Sequence, residues 1–156
     1  ERHMAEIEII VEPEQFLTEA PIPQERVSEV AARWSEDGRV GGVVSFSGVV
    51  RADETEAGRV SAIEFTAHRS MAERALDELI RRAASGYDSG VLRIYLEHAL
   101  GIVAVGQVPL VIVVGVSHRP EAFGLCRDIL EALKAEVPIY GKELTEGGGH
   151  QWKVNR

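Results

Sequence analysis

The sequence predicts an α+β fold, with helices packed on a largely antiparallel or mixed sheet. Two observations carry that prediction. Runs rich in β-branched residues, such as "RVGGVVSFSGVVR" and "QVPLVIVVGVSH", alternate with stretches whose apolar residues recur at helical spacing. Their order, strand, helix, two strands, helix, two or more strands, helix and a short tail, does not give the strict strand-helix alternation of a parallel doubly wound sheet. A length of 156 residues and a mass of 17.1 kDa suit a single domain with one substantial core, expected over residues 4–156. The preceding Glu1-Arg2-His3 reads as an expression remnant.

Each element has a local reason. "EIEIIVEP" alternates apolar and acidic residues until Pro13, predicting a strand over Ile7 to Val11. Pro23 can open a helix whose face carries Val27, Val30, Ala31 and Trp34 and which ends near Gly38. Residues 39–51 form a strand with glycines at 41, 42 and 48, followed by "ADETEAG", too polar for a core and expected to be a mobile loop. A partner strand spans 59–68. Ser70 and Glu73 have capping-box spacing ahead of a helix with a stripe of Ala72, Leu76, Leu79, Ile80 and Ala83, ending near Gly86. "VLRIYLEHAL" and a nearly continuous apolar run, Val108 to Val116, are two further strands joined by "GIVAVG"; Pro109 belongs at the start of the second, which should be central. Ala122, Phe123, Cys126, Ile129, Leu130 and Leu133 then mark an amphipathic helix with Lys134 in its last turn.

Composition narrows the function. With 25 acidic and 17 basic residues the chain carries a formal charge of -8, which disfavours general binding to nucleic acid or anionic membrane, although a local basic pocket is compatible with it. No stretch approaches the roughly 18 apolar residues of a membrane-spanning helix. One cysteine, Cys126, excludes an intrachain disulfide and suits a reducing cytoplasm. Its position among Phe123, Ile129 and Leu130 reads as core packing. His68, His98 and His150 lack zinc-ligand spacing, so neither a metal nor another cofactor is expected.

The chemistry-bearing residues fall into three basic clusters after strand-like runs: Arg51, His118-Arg119, and Lys134 with Lys142 in "LKAEVPIYGKE". Arginine offers a planar fork to phosphate oxygens, and lysine a point charge or, once deprotonated, a nucleophilic amine. Together they could hold a small anionic substrate. Each has a plainer use as well: Arg51 as a solvated strand end, "SHRPEA" as a helix start, Lys134 as a charge complementing its helix terminus.

Taken in order, "FSGVVR", "IEFTAHRSMAE", "EHALGIVAVGQ", "VSHRPEAF", "LKAEVPIYGKE" and Trp152 resemble the large, catalytic subunit family of molybdopterin synthase, nearly throughout the chain from residue 39. The resemblance implies an α/β hammerhead domain with a small inserted subdomain, forming a central dimer. Each half would bind a small ubiquitin-like sulfur carrier whose C-terminal Gly-Gly bears a thiocarboxylate. Sulfur would pass to cyclic pyranopterin monophosphate, giving the dithiolene of molybdopterin. By the same resemblance, Lys134 is the essential lysine, and Arg51, His118 and Arg119 hold the phosphate and neighbouring groups, the last two from the partner subunit. Glu143 orients the lysines, and Arg156 matches an arginine that helps bind substrate or carrier. Crowding by Arg119 and Lys142 would favour the neutral amine of Lys134.

The sequence departs from the family pattern at three places. Gly141 stands where the first lysine of a Lys-Lys-Glu motif is usual, and Lys142, one step later, would point the other way in a regular extended segment; the glycine can let the backbone turn, and Lys142 is expected to serve beside Lys134 as a catalytic lysine. Ala99 replaces a usual arginine, and "RADETEAG" lacks an asparagine. An alternative to catalysis is therefore a carrier-binding or assembly protein derived from the family. A phosphate-ester enzyme of another kind ranks last, because paired carboxylates for metal-assisted phosphoryl transfer are missing.

Overall fold

The computed structural model describes residues 7–153. Strands β1 (Ile7–Glu12), β6 (Gly90–Ala99), β8 (Leu110–Val116) and β3 (Gly42–Gly48) lie in that order in the first sheet, and β2 (Leu17–Thr18) pairs with the end of β6. β1 runs parallel to β6, while β6–β8 and β8–β3 are antiparallel. The second sheet is antiparallel, in the order β10 (His150–Trp152), β9 (Ile139–Thr145), β5 (Gly58–Ala67), β4 (Glu54–Thr55), with β7 (Gly101–Ala104) also on β5. With α1 (Arg26–Trp34), α2 (Arg69–Ala84) and α3 (Ala122–Glu136) added, this is the expected α+β arrangement, hammerhead-like in topology.

The unbroken apolar run of β8 has a direct cause: both its faces are covered. Ile112, Val114 and Val116 join Leu92, Ile94 and Leu96 of β6 in the main core under α2 and α3. Val111 and Val113 face the other way and meet Tyr95, Val30 and Trp34 in a second core under α1. Gly115 completes that contact, because a β-carbon there would stand 2.8 Å from Trp34 Cε3. Central placement of this strand, with Pro109 just ahead of it, agrees with the sequence reading.

Several local expectations are corrected. His68, not Ser70, caps α2, its Nδ1 accepting from the Met71 amide at 3.4 Å. Glu73 does not reach back to the helix start; its carboxylate accepts from the amides of Phe16 at 2.9 Å and Leu17 at 2.8 Å, tying the approach to β2 onto α2. The polar stretch expected to be a mobile loop contains β4, closed on β5 by a turn in which Gly58 takes φ of 119°. "GIVAVG" is more than a connection, since it supplies β7 to the second sheet. Pro23 precedes α1 and accepts from the Arg26 amide through its carbonyl at 3.0 Å. Phe123 is 70% exposed, because the buried stripe of α3 runs through Ala122, Cys126, Ile129 and Leu133, and Phe123 lies a further 100° round the helix. The tail is two strands, β9 and β10, joined as a hairpin. Among the described residues no helix is long and apolar enough to cross a membrane. Residues 1–3 and Arg156 lie outside the described residues.

Candidate functional site

A cleft of about 840 Å³ opens where the two sheets meet. The end of β3 and the residues after it contribute Arg51 and Asp53. Phe65 comes from β5, His98 from β6, Pro109 and Leu110 from the start of β8, Lys134 from the last turn of α3, and Gly141 and Glu143 from β9. Trp152 and Lys153 close it from the C-terminal hairpin. Arg51 and Lys134, 83 residues apart in sequence, therefore share one wall-to-wall space because β3 and α3 both end there.

The polar groups are held in different ways. Arg51 is largely exposed and 3.1 Å from the Asp53 carboxylate, so its guanidinium is anchored at one edge while the rest of the fork faces solvent. Lys134 sits where the carbonyl end of α3 favours a positive charge. Glu143 is only 3% exposed and accepts a hydrogen bond from Gln151 Nε2 at 3.0 Å across the β9–β10 pair. Its charge is thus fixed at the cleft floor.

His98 is buried, with its ring edge-on to Phe65 at a centroid distance of 5.1 Å. Its Nδ1 lies 2.8 Å from the Ala99 carbonyl oxygen, which can only accept, so Nδ1 carries the hydrogen and Nε2 the lone pair. Burial pulls this ring down to about 4, opposed by the Ala99 hydrogen bond and assisted by the positive charge of Lys153. His98 is a neutral imidazole at physiological pH. Cys126 is buried and its thiol is pushed up by that burial, consistent with packing rather than nucleophilic chemistry.

Three further sequence-derived candidates, His118, Arg119 and the expected second catalytic lysine Lys142, lie elsewhere in the protomer. Lys142 does not line the cleft: it faces the opposite side of β9, with Nζ 3.5 Å from Glu64 and 5.9 Å from the centre of the Trp152 ring. His118 and Arg119 follow the far end of β8, whose first residues line the cleft. A seven-residue strand at about 3.3 Å per residue separates them by on the order of 20 Å. The crowding of Lys134 by Arg119 and Lys142 expected from sequence is therefore not a feature of one chain. Asp53, His98 and Lys153 were absent from the sequence-derived set. The signal for Lys153 is a short hairpin around "GGG" that turns the tail back beside β9. Among the described residues no group of three or more His, Cys, Asp or Glu side chains is placed to hold a metal ion.

The comparisons with known proteins bear on this arrangement. The family described as "MoaE protein" matches residues 17–136. The molybdopterin synthase catalytic subunit of Nostoc sp. is 32% identical over 142 residues, covering 91% of this chain and 82% of its own length. The crystal structure of molybdopterin synthase from Staphylococcus aureus superposes with a TM-score of 0.75 at 24% identity, over 92% of this chain and 99% of that one. A chain from the complex of subunits 1 and 2 of the Helicobacter pylori molybdopterin-converting factor gives a TM-score of 0.72 at 17% identity, over 96% and 91%. The last two likenesses speak for the fold. The family match, which spans most of the residues between β2 and the end of α3, and the Nostoc relative together place this chain in the MoaE family of molybdopterin synthase catalytic subunits.

Proposed function

We propose that the chain transfers sulfur from the C-terminal thiocarboxylate of a small ubiquitin-like carrier to cyclic pyranopterin monophosphate, forming the dithiolene of molybdopterin. The observation that carries this reading is the cleft that Lys134, Arg51 and the buried carboxylate of Glu143 all line, in a member of this family. Its volume accommodates an extended Gly-Gly tail beside a small anionic substrate. The two-subunit Helicobacter complex supports a second chain as partner.

In this reading Arg51 takes the substrate phosphate through its solvent-facing N–H groups, and Lys134 assists acyl transfer at the thiocarboxylate carbon. Glu143 orients the amines. His118 and Arg119, remote from the cleft of their own protomer, belong to the cleft of a second copy in a dimer, and Arg156 contributes to binding substrate or carrier. Lys142 supports the hairpin through Glu64 and Trp152.

The test is incubation of the purified chain with cyclic pyranopterin monophosphate and a thiocarboxylated carrier, with dithiolene product followed by mass spectrometry. Lys134→Ala is expected to lower product formation by about a hundredfold or more while carrier affinity changes only a few-fold. Equal activity in that variant would sink the assignment of Lys134. A second reading, carrier binding without turnover, is favoured by one observation: β9 places no amine in the cleft, since position 141 is glycine and Lys142 faces away. Tight carrier binding with no product from authentic components would select it.

A further inference from the structure

Gly141 sits in a closely packed part of the cleft wall, with little room for a side chain of its own. A β-carbon added there would stand 3.0 Å from Ile63 Cγ2, 3.3 Å from Phe65 Cε1 and 3.5 Å from the β-carbon of Lys153. The Lys153 amide donates to the Gly141 carbonyl at 2.7 Å, extending by one residue the ladder that sets Trp152 opposite Lys142. Directly opposed residues of antiparallel strands project from the same face. By this pairing Trp152 shares its side with Lys142, although it also lines the cleft at the edge of the hairpin, and Lys153 shares the side of the cleft residues Gly141 and Glu143. The β-carbon of Lys153 thus lies beside Gly141 on the cleft side of the hairpin, and Lys153 lines the cleft.

We propose that Lys153 is the second amine of this cleft, its ammonium group holding, beside Lys134, the anionic group of the bound substrate. The inference rests on the sulfur-transfer reading and deepens it. It places an amine from the residue after β10 in a cleft where β9 supplies none, in a chain whose overall charge is -8. Lys153 and His98 line the same cleft, and the lysine's charge is near enough to that buried ring to disfavour its protonation. Two anions could be the partner, the phosphate of the pterin or the thiocarboxylate of the carrier tail, and both are recognised by the same charge-assisted hydrogen bonds.

The test uses the full chain with the two authentic substrates and compares wild type with Lys153→Met, which keeps the stem and removes the charge, and Lys153→Arg, which keeps the charge. Lys153→Met is expected to lower kcat/KM by about tenfold or more, with partial recovery in Lys153→Arg. A rise in KM for the pterin assigns the phosphate, and a rise in KM for the carrier assigns the thiocarboxylate. Proton NMR titration of His98 should show its pKa rise in Lys153→Met and return toward the wild-type value in Lys153→Arg, which restores the charge. Wild-type turnover with Lys153→Met within twofold of it overturns the inference. Should wild type itself give no product, the sulfur-transfer reading fails separately. Calorimetric titration with cyclic pyranopterin monophosphate and with the carrier then decides Lys153: weaker binding of either by Lys153→Met upholds it, and unchanged binding of both overturns it.

Discussion

Acidification should destabilise this protein well before its carboxylates titrate, and His98 supplies the reason. The ring is held neutral, with a folded pKa of about 4 against 6.5 in an unfolded chain. A depressed histidine makes the unfolded state the better proton acceptor, so its contribution to stability is complete above 6.5 and is lost as pH falls toward 4. At pH 5 the unfolded ring is almost fully protonated and the folded ring is about one-tenth protonated, giving a loss of about 2 kcal/mol relative to pH 7.5. Around pH 5.25 the slope is about 1.2 kcal/mol per pH unit. Urea denaturation at half-unit pH steps, with the m-value checked for constancy, measures this directly. In His98→Gln the same interval should be nearly flat, whatever the variant costs in absolute stability, and the comparison is between slopes. A wild-type curve that stays level from pH 7 to 5, or a His98→Gln curve with the wild-type slope, refutes the reasoning.

Two further expectations concern the frame around the cleft. Gly115→Ala drives a methyl against Trp34, where a β-carbon would lie 2.8 Å from Cε3, and should cost about 1–3 kcal/mol, read by urea denaturation and by a shift of the tryptophan fluorescence. Glu73→Ala leaves the amides of Phe16 and Leu17 without their carboxylate acceptor and should cost about 1–3 kcal/mol. Hydrogen exchange at Phe16 and Leu17 should accelerate in that variant, with exchange in β8 changing no more than global stability requires.

The regular elements were legible because their periodicities differ. The uniform apolar run of β8 could signal only a strand covered on both faces, and α3 declared its stripe through Ala122, Cys126, Ile129 and Leu133. Capping was less legible, since Ser70 and Glu73 have the right spacing but local sequence cannot show that two distant amides compete for the same carboxylate. The hidden strands β4 and β7 escaped because a two- or four-residue strand has too few positions to display alternation. In the cleft, Arg51 and Lys134 were readable as isolated cations, whereas their meeting depends on which strand ends coincide. A catalytic Lys142 required Gly141 to turn the backbone, whereas β9 keeps its regular register through both residues and Lys142 meets Glu64. Lys153 was not legible, because its place follows from pairing with a strand reached through a glycine turn.

The adjacency of Gly141 and Lys153 across the β9–β10 hairpin has a bearing on how relatives of this chain are compared. Two residues twelve positions apart in the chain stand in one volume of space. A side chain can leave one strand and be restored from its neighbour by two separate codon changes. Column-by-column inspection would score the first change as a loss and overlook the second. Across such a hairpin, the unit of comparison is the facing pair.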